Sequence, residues 1–137
     1  MKSMKSKLMM IVAGALAAIA LPVLAHHSFS AEFDQNKTVV LEGTVTKMEW
    51  VNPHSWLHIE VVNAKGEKEV WKVEGGSPAV LLRLGWTRDS LPAGTKVIVN
   101  GFQAKDGSLR ANSRSIEFPD GRSLSTGGSS YRDRPAE

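Results

Sequence analysis

The chain has 137 residues, 42% of them hydrophobic, which is enough for one modest core and predicts a single folded domain. Three of its 17 basic residues lie before residue 26, whereas all 14 acidic residues lie after it, so the remainder is electrically neutral. A neutral domain disfavours a nucleic-acid backbone as partner, and the lack of cysteine excludes a disulfide framework.

Residues 1–25 have the layout of a cleaved secretory signal. A basic head is followed by an almost wholly apolar run over residues 8–20, and Val23 and Ala25 supply the small residues that precede a cleavage point. Cleavage after Ala20 fits the same pattern. An uncleaved anchor is disfavoured because the apolar run is short for a membrane span of ~20 residues. We therefore expect an exported, periplasmic protein with no stable membrane insertion after cleavage.

Three β-strands are predicted first, at Thr38–Thr46, Ser55–Val62 and Glu69–Glu74. Each is rich in β-branched or aliphatic residues that alternate with polar ones, which is the period of a half-buried strand. Asn52-Pro53 separates the first strand from the second, and residues 63–66 predict a hairpin turn before the third. The residues predicted to face the core are Val39, Leu41, Val45, Leu57, Ile59, Val61, Trp71 and Val73.

A short helix and two further strands are predicted next. Ser77 is a suitable N-cap, Pro78 fits the first helical position, and Gly85 is placed to end the helix in a left-handed conformation. The fourth strand is predicted at Lys96–Ala104 and the fifth at Leu109–Phe118, with an Asp-Gly turn between them.

This order of elements predicts a mainly β fold, a small five-stranded OB-like barrel with one short helix between strands 3 and 4. A six-stranded sandwich and an SH3-like barrel remain open as alternatives. The barrel domain is expected to cover residues 26–120. Residues 121–137 are rich in Ser, Gly and Arg, and this composition predicts a disordered tail.

The four histidines, His26, His27, His54 and His58, are candidate metal ligands. If the leader is removed after Ala25, His26 carries a free α-amine, which can chelate one metal ion together with the Nδ1 atom of its own ring. Neutral nitrogen pairs suit Cu(II), Ni(II) or Zn(II), with copper favoured by the general affinity order. A third nitrogen from another histidine would complete a histidine brace. Any one of these residues alone is better explained as ordinary surface.

Among the partners for His26, His54 is preferred because it follows Pro53 at the loop end of a strand, where the N-terminal segment can reach it. His54 and His58 on one extended strand would have Cα atoms ~13 Å apart, which is too far for easy ligation of a common ion. His27 stays open, although adjacent residues rarely converge on one ion. No cluster of Met or Cys indicates a Cu(I) site, and no set of four ligands indicates structural zinc.

Trp56, which lies between His54 and His58 in the sequence, is the candidate ligand-binding residue on the non-core face. In barrels of this type the face of strands 2 and 3 holds extended ligands stacked on aromatic side chains. Burial of Trp56 beneath the N-terminal segment or the helix is the competing interpretation. No nucleophile elbow, carboxylate pair or phosphate-binding glycine loop indicates an enzyme.

Several motifs together resemble a family of small exported bacterial proteins described only as a domain of unknown function. They are HHSF at 26–29, WVNPHSW at 50–56, and GGSP followed by LGW between 75 and 86. The resemblance covers roughly Ala25 to Arg122. It implies export and a compact β domain, and it supplies no activity and no ligands.

Two functions from different classes follow as hypotheses. The first is a periplasmic, non-enzymatic protein that binds copper or another divalent metal through the mature N-terminal histidine. The alternative is an OB-like module that binds an oligosaccharide or peptide through an exposed Trp/His face. An oxidative copper enzyme would need the same brace and a substrate platform in addition, and the domain is small for that purpose.

Overall fold

A computed structural model describes residues 29–128 as a β-sheet protein with two short helices. The predicted signal segment, His26, His27 and the residues after 128 lie outside the described residues. Neither helix in the described part of the chain has the length and hydrophobicity that crossing a membrane requires. The elements in chain order are α1 (residues 29–32), β1 (Phe33–Glu49), β2 (Trp56–Val62), β3 (Lys68–Glu74), α2 (Pro78–Arg83), β4 (Lys96–Ala104), β5 (Arg110–Glu117) and β6 (Ser123–Ser125).

The six strands form one sheet in the order β3-β2-β1-β4-β5-β6. Neighbours in this order are antiparallel, and β3 also pairs with β5 in parallel, with Lys72 opposite Arg110 and Glu74 opposite Asn112. The helix α2 connects β3 to β4. The predicted mainly β class is therefore confirmed, and so is the position of the helix between the third and fourth strands.

Strand β1 is much longer than the sequence pattern predicts, with 17 residues. Its first part, before Thr38, was missed because residues 34–37 carry mostly exposed side chains and show no apolar alternation. Register shifts occur between Phe33 and Thr38 against β4, and between Val45 and Lys47 against β2. Such irregularities bend a strand and increase its twist, which allows the long strand β1 to pair with both β2 and β4.

The main core lies between the inward faces of the strands and α2. Ile59 and Val99 are fully buried, and Trp71 and Val73 lie beside them as predicted. Leu81 of α2, which is 1% exposed, covers one end of this core. The alternation of aliphatic and polar residues therefore identified the core faces of the central strands correctly.

The predicted boundaries of α2 are also confirmed by its capping contacts. The hydroxyl of Ser77 accepts a hydrogen bond from the backbone N–H of Val80 at 3.3 Å, and Pro78 occupies the first helical position. Gly85 follows the helix with a φ of 92°, a left-handed conformation that suits glycine.

Residues 123–128, which were expected to belong to a disordered tail, pack against the sheet. Strand β6 pairs with β5, and Thr126 is 4% exposed. A Cβ on Gly76 would lie 2.8 Å from the carbonyl oxygen of Gly127, and one on Gly128 would lie 2.8 Å from that of Ser113. Gly127 and Gly128 belong to the segment whose composition predicted disorder. They instead lie close to the backbone of Gly76 and of Ser113.

Replacing Gly101 with Ala tests how closely β4 approaches β5. A Cβ there would lie 2.2 Å from the backbone oxygen of Asn112, so we expect Gly101→Ala to lower the free energy of unfolding by about 3 kcal/mol. Gly66→Ala is the control, because that position is open and its φ of 80° predicts a cost of only about 1 kcal/mol. Urea unfolding measures both values, and equal losses would contradict this description of the β4–β5 contact.

Candidate functional site

A row of paired residues crosses four strands on the outward side of the sheet. Trp56 on β2 pairs with Glu74 on β3, Glu74 pairs with Asn112 on β5, and Asn112 pairs with Phe102 on β4. Paired residues of neighbouring strands project from the same face. Because the adjacent residue Val73 belongs to the core, this face points away from it. We call these four residues the outer row.

Glu74 is buried although it lies on the outward face, with 3% of its surface exposed. The side-chain amide of Asn112, itself fully buried, donates a hydrogen bond of 3.0 Å to Oε1 of Glu74. The Nδ1 atom of His54 lies 3.4 Å from the same oxygen. A carboxylate removed from water needs such polar partners, so the three side chains form one connected polar group.

The backbone beside His54 is fixed to the end of β3. The N–H of Ser55 donates to the carbonyl of Gly76, and the N–H of Gly75 donates to the carbonyl of Ser55, both at 2.9 Å. His54 keeps 31% of its side chain exposed. Of its two ring nitrogens, Nδ1 is the one that lies beside the carboxylate of Glu74.

His58 lies beside a different carboxylate, on the other neighbour of β2. Its Nε2 atom is 3.0 Å from Oε2 of Glu49 on β1, and Lys47 donates to the other oxygen of Glu49 at 2.6 Å. The hydrogen bonds from Lys47 and then from His58 lower the pKa of Glu49 from 4.5 to about 2. The structure therefore separates His54 from His58.

Trp56 is half-buried, and cationic side chains lie over its ring. The Nζ atom of Lys72 is 4.5 Å from the ring centroid, and the guanidinium carbon of Arg110 is 5.5 Å from it. Such cation–π contacts occupy the ring surface on which a sugar or a base would otherwise stack.

Sequence reasoning missed Glu74 and Asn112, the two buried polar residues next to His54. Strand alternation assigns both to the solvent side, because it identifies only which side of the sheet a residue occupies. A local signal for Glu74 was its position directly before Gly75 and Gly76, where a tightly packed backbone can cover a side chain. Asn112 had no comparable signal.

Two further observations concern possible ligand sites in the described chain. Within residues 29–128 no group of three or more His, Asp or Glu side chains is arranged to hold a metal ion. A void of about 10 Å³ in the core is lined by side chains including Leu57, Leu81 and Trp86, and it has room for about one water molecule. This void is too small for an organic ligand.

The described chain is thus a β-sheet protein with a buried carboxylate, paired with a histidine, on its outward face. Residues 13–113 match a family of unknown function, DUF6152, and the chain belongs to this family. The match confirms the resemblance based on the HHSF, WVNPHSW and GGSP motifs. No curated protein is significantly similar to the chain, and neither is any solved structure.

The ion pairs of Glu49 predict an acid-dependent loss of stability. Because its pKa is 4.5 in the unfolded chain and about 2 in the folded one, the stabilising effect is fully present above pH 4.5 and disappears as the pH falls to about 2. We expect wild type to be more stable than Glu49→Gln near neutral pH, with the difference shrinking across that interval. Urea unfolding at several pH values measures it. A difference that is independent of pH would contradict the assignment.

Proposed function

We propose that this protein is an exported, non-enzymatic binding protein that chelates copper or another divalent metal through His26 and His54. The observation that carries the proposal is the 3.4 Å contact between Nδ1 of His54 and the buried carboxylate of Glu74. Metal-binding histidines commonly present their second ring nitrogen to a carboxylate, which fixes the tautomer and makes the ligating nitrogen more basic.

The ligand set consists of neutral nitrogens. Cleavage after Ala25 would give His26 a free amine beside its own Nδ1, and Nε2 of His54 would be the third donor. This set suits copper, nickel or zinc, in an order of affinity that favours copper. An ionised Glu74 would lie next to His54 and would attract a bound cation. His27 remains an alternative for the third position.

The reach of the N-terminal segment supports His54 as the partner. Phe29 of α1 packs against Phe102, with ring centroids 5.7 Å apart. From Phe102 to Glu74 the outer row crosses two strand spacings, about 10 Å. The three residues from Phe29 back to His26 span about 10 Å when extended. His58 is farther away by this path, because it lies on β2, one strand beyond β3 and two residues past Trp56.

The proposal also includes an OB-like barrel fold and a periplasmic location. An OB-like barrel is supported by the parallel pairing of β3 with β5, since the pairings then run in a ring β1-β2-β3-β5-β4. The periplasm is the proposed destination because residues 1–25 have the layout of a cleaved leader. A sugar or peptide site on Trp56 has less support, because Lys72 and Arg110 lie over that ring.

Copper titration of the purified exported protein tests the metal site. We expect N-terminal sequencing to begin with His26 and the protein to form a stoichiometric Cu(II) complex. Acetylation of the His26 α-amine should weaken binding, because the nitrogen becomes an amide and no free amine remains next to the histidine ring. His54→Ala should also weaken it, whereas His58→Ala should not. Binding that is unchanged by this acetylation would refute the chelate.

Glu74→Gln tests the role of the buried carboxylate. The amide keeps the size of the side chain but removes the charge beside His54, so we expect copper affinity to fall by about 10- to 100-fold. Glu49→Gln is the matched control, because it makes the same change beside His58. Thermal unfolding verifies that both variants fold. Equal copper affinities for the two variants would contradict the role of Glu74.

A further inference from the structure

Three cationic side chains lie over aromatic rings on the outward side of the sheet. The Nζ atom of Lys72 is 4.5 Å from the centroid of the Trp56 ring, and the guanidinium carbon of Arg110 is 5.5 Å from it. The guanidinium carbon of Arg114 is 5.6 Å from the centroid of the Phe102 ring. Both rings belong to the outer row, and cation–π contacts keep the long charged side chains against it. We call Lys72, Arg110 and Arg114 the cationic face.

Only one of these three cations has a carboxylate partner among residues 29–128. Arg110 donates to Oε2 of Glu32 at 2.8 Å. No carboxylate of the described residues lies within 4.0 Å of the charged nitrogens of Lys72 or Arg114. Glu74, two residues after Lys72 on β3, is 3% exposed and presents little charge at the surface. The cationic face therefore has two positive charges that no described carboxylate pairs with directly.

A β-bulge places Arg114 on this face. Arg114 is the residue of β5 that lies between two consecutive pairs with β4, Ser113 with Gly101 and Ser115 with Asn100. Such an extra residue has no opposite partner, and a bulge redirects its side chain. The side chain of Arg114 is exposed and extends over the outer row, so its guanidinium is accessible to a ligand.

The spacing of the three cations suits an extended acidic peptide. Lys72 lies opposite Arg110 on the neighbouring strand, at a distance of about 5 Å. Arg114 follows Arg110 by four residues, which is at most about 13 Å along β5. An extended chain presents every second side chain on one side, at intervals of about 7 Å. Two acidic residues that are four positions apart would therefore match the distance from Arg114 to the other two cations.

Glu32 shows how a carboxylate from a peptide segment binds to this face. It belongs to α1, outside the main core, and its carboxylate contacts Arg110, whose guanidinium carbon is also 5.9 Å from the centroid of the Phe33 ring. Guanidinium and carboxylate groups form strong, charge-assisted hydrogen bonds. Lys72 and Arg114 have the same combination of a cation and an aromatic ring, and each has room for a carboxylate of another chain.

We infer that the cationic face binds an acidic segment of a partner protein, whose carboxylates pair with Lys72 and Arg114. Charge complementarity of this kind guides association and selects the partner. A sugar chain matches the face less well, because cations already lie over the Trp56 and Phe102 rings on which sugars would stack. The inference is independent of the proposed metal site, since it uses only side chains of the folded sheet.

Binding of labelled poly-glutamate to the full exported protein, measured by fluorescence anisotropy, tests this inference. We expect binding at about 20 mM salt and its loss at about 0.5 M, because salt screens exposed ion pairs. The double variant Lys72→Gln and Arg114→Gln should bind at least about tenfold more weakly. The matched control is Lys65→Gln with Arg83→Gln, which removes the same charges from exposed positions outside the cationic face. Thermal unfolding verifies that both double variants fold.

Three results would overturn the inference. The first is a wild-type protein that binds no poly-glutamate at low salt. The second is an equal loss of affinity in the two double variants, which would show that total charge alone determines binding. The third is tighter binding of a polyuronate than of poly-glutamate, which would identify an acidic glycan as the ligand. Copper titration of the same double variants should give wild-type affinity, so the proposed metal site is tested separately.

Discussion

The burial of the Glu74 carboxylate is the constraint on which the outward face of this protein depends. A charge removed from water is strongly destabilising unless donors surround it. Here the parallel pairing of β3 with β5 sets Asn112 opposite Glu74, and the loop before β2 brings His54 to the same oxygen. Removing any one of these partners would leave a buried polar group with fewer contacts.

Both ends of the described chain pack close to this polar group. A Cβ on Gly128 would lie 2.8 Å from the carbonyl oxygen of Ser113 and 3.2 Å from the side-chain oxygen of Asn112, so the backbone passes there too closely for a side chain. At the other end, α1 is bound to Arg110, which lies two residues before Asn112 on β5. Both ends of the described residues therefore lie next to β5, the strand that carries Asn112.

Much of this fold could be predicted from residue patterns. The alternation through Leu57 and Ile59 identified a core face, and the Ser77 cap with Gly85 gave the helix its bounds. Residues 123–128 were not predicted as part of the sheet, because glycines that pack backbone against backbone have the same composition as glycines in a flexible tail. Local sequence does not distinguish the two cases.

The candidate site was predicted only in part, for a related reason. His54 was selected from its place beside a proline and near the start of a strand, but Glu74 comes from another strand and Asn112 from a third. Their convergence depends on the β3–β5 register, which no local pattern specifies. The aromatic cluster of α1 was missed as well, because Phe29 and Phe33 are brought to Phe102 by tertiary packing.

Electron paramagnetic resonance of the Cu(II)-loaded protein that begins at His26 tests most directly the proposal that His54 and this N-terminus hold one ion. The spectrum should show nitrogen couplings from the N-terminal amine and from two imidazoles, and one imidazole coupling should disappear in His54→Ala. The free peptide His-His-Ser-Phe provides the reference for a copper site without the domain. A protein spectrum identical to that of the peptide would contradict the proposed site, because the folded domain would then contribute no ligand.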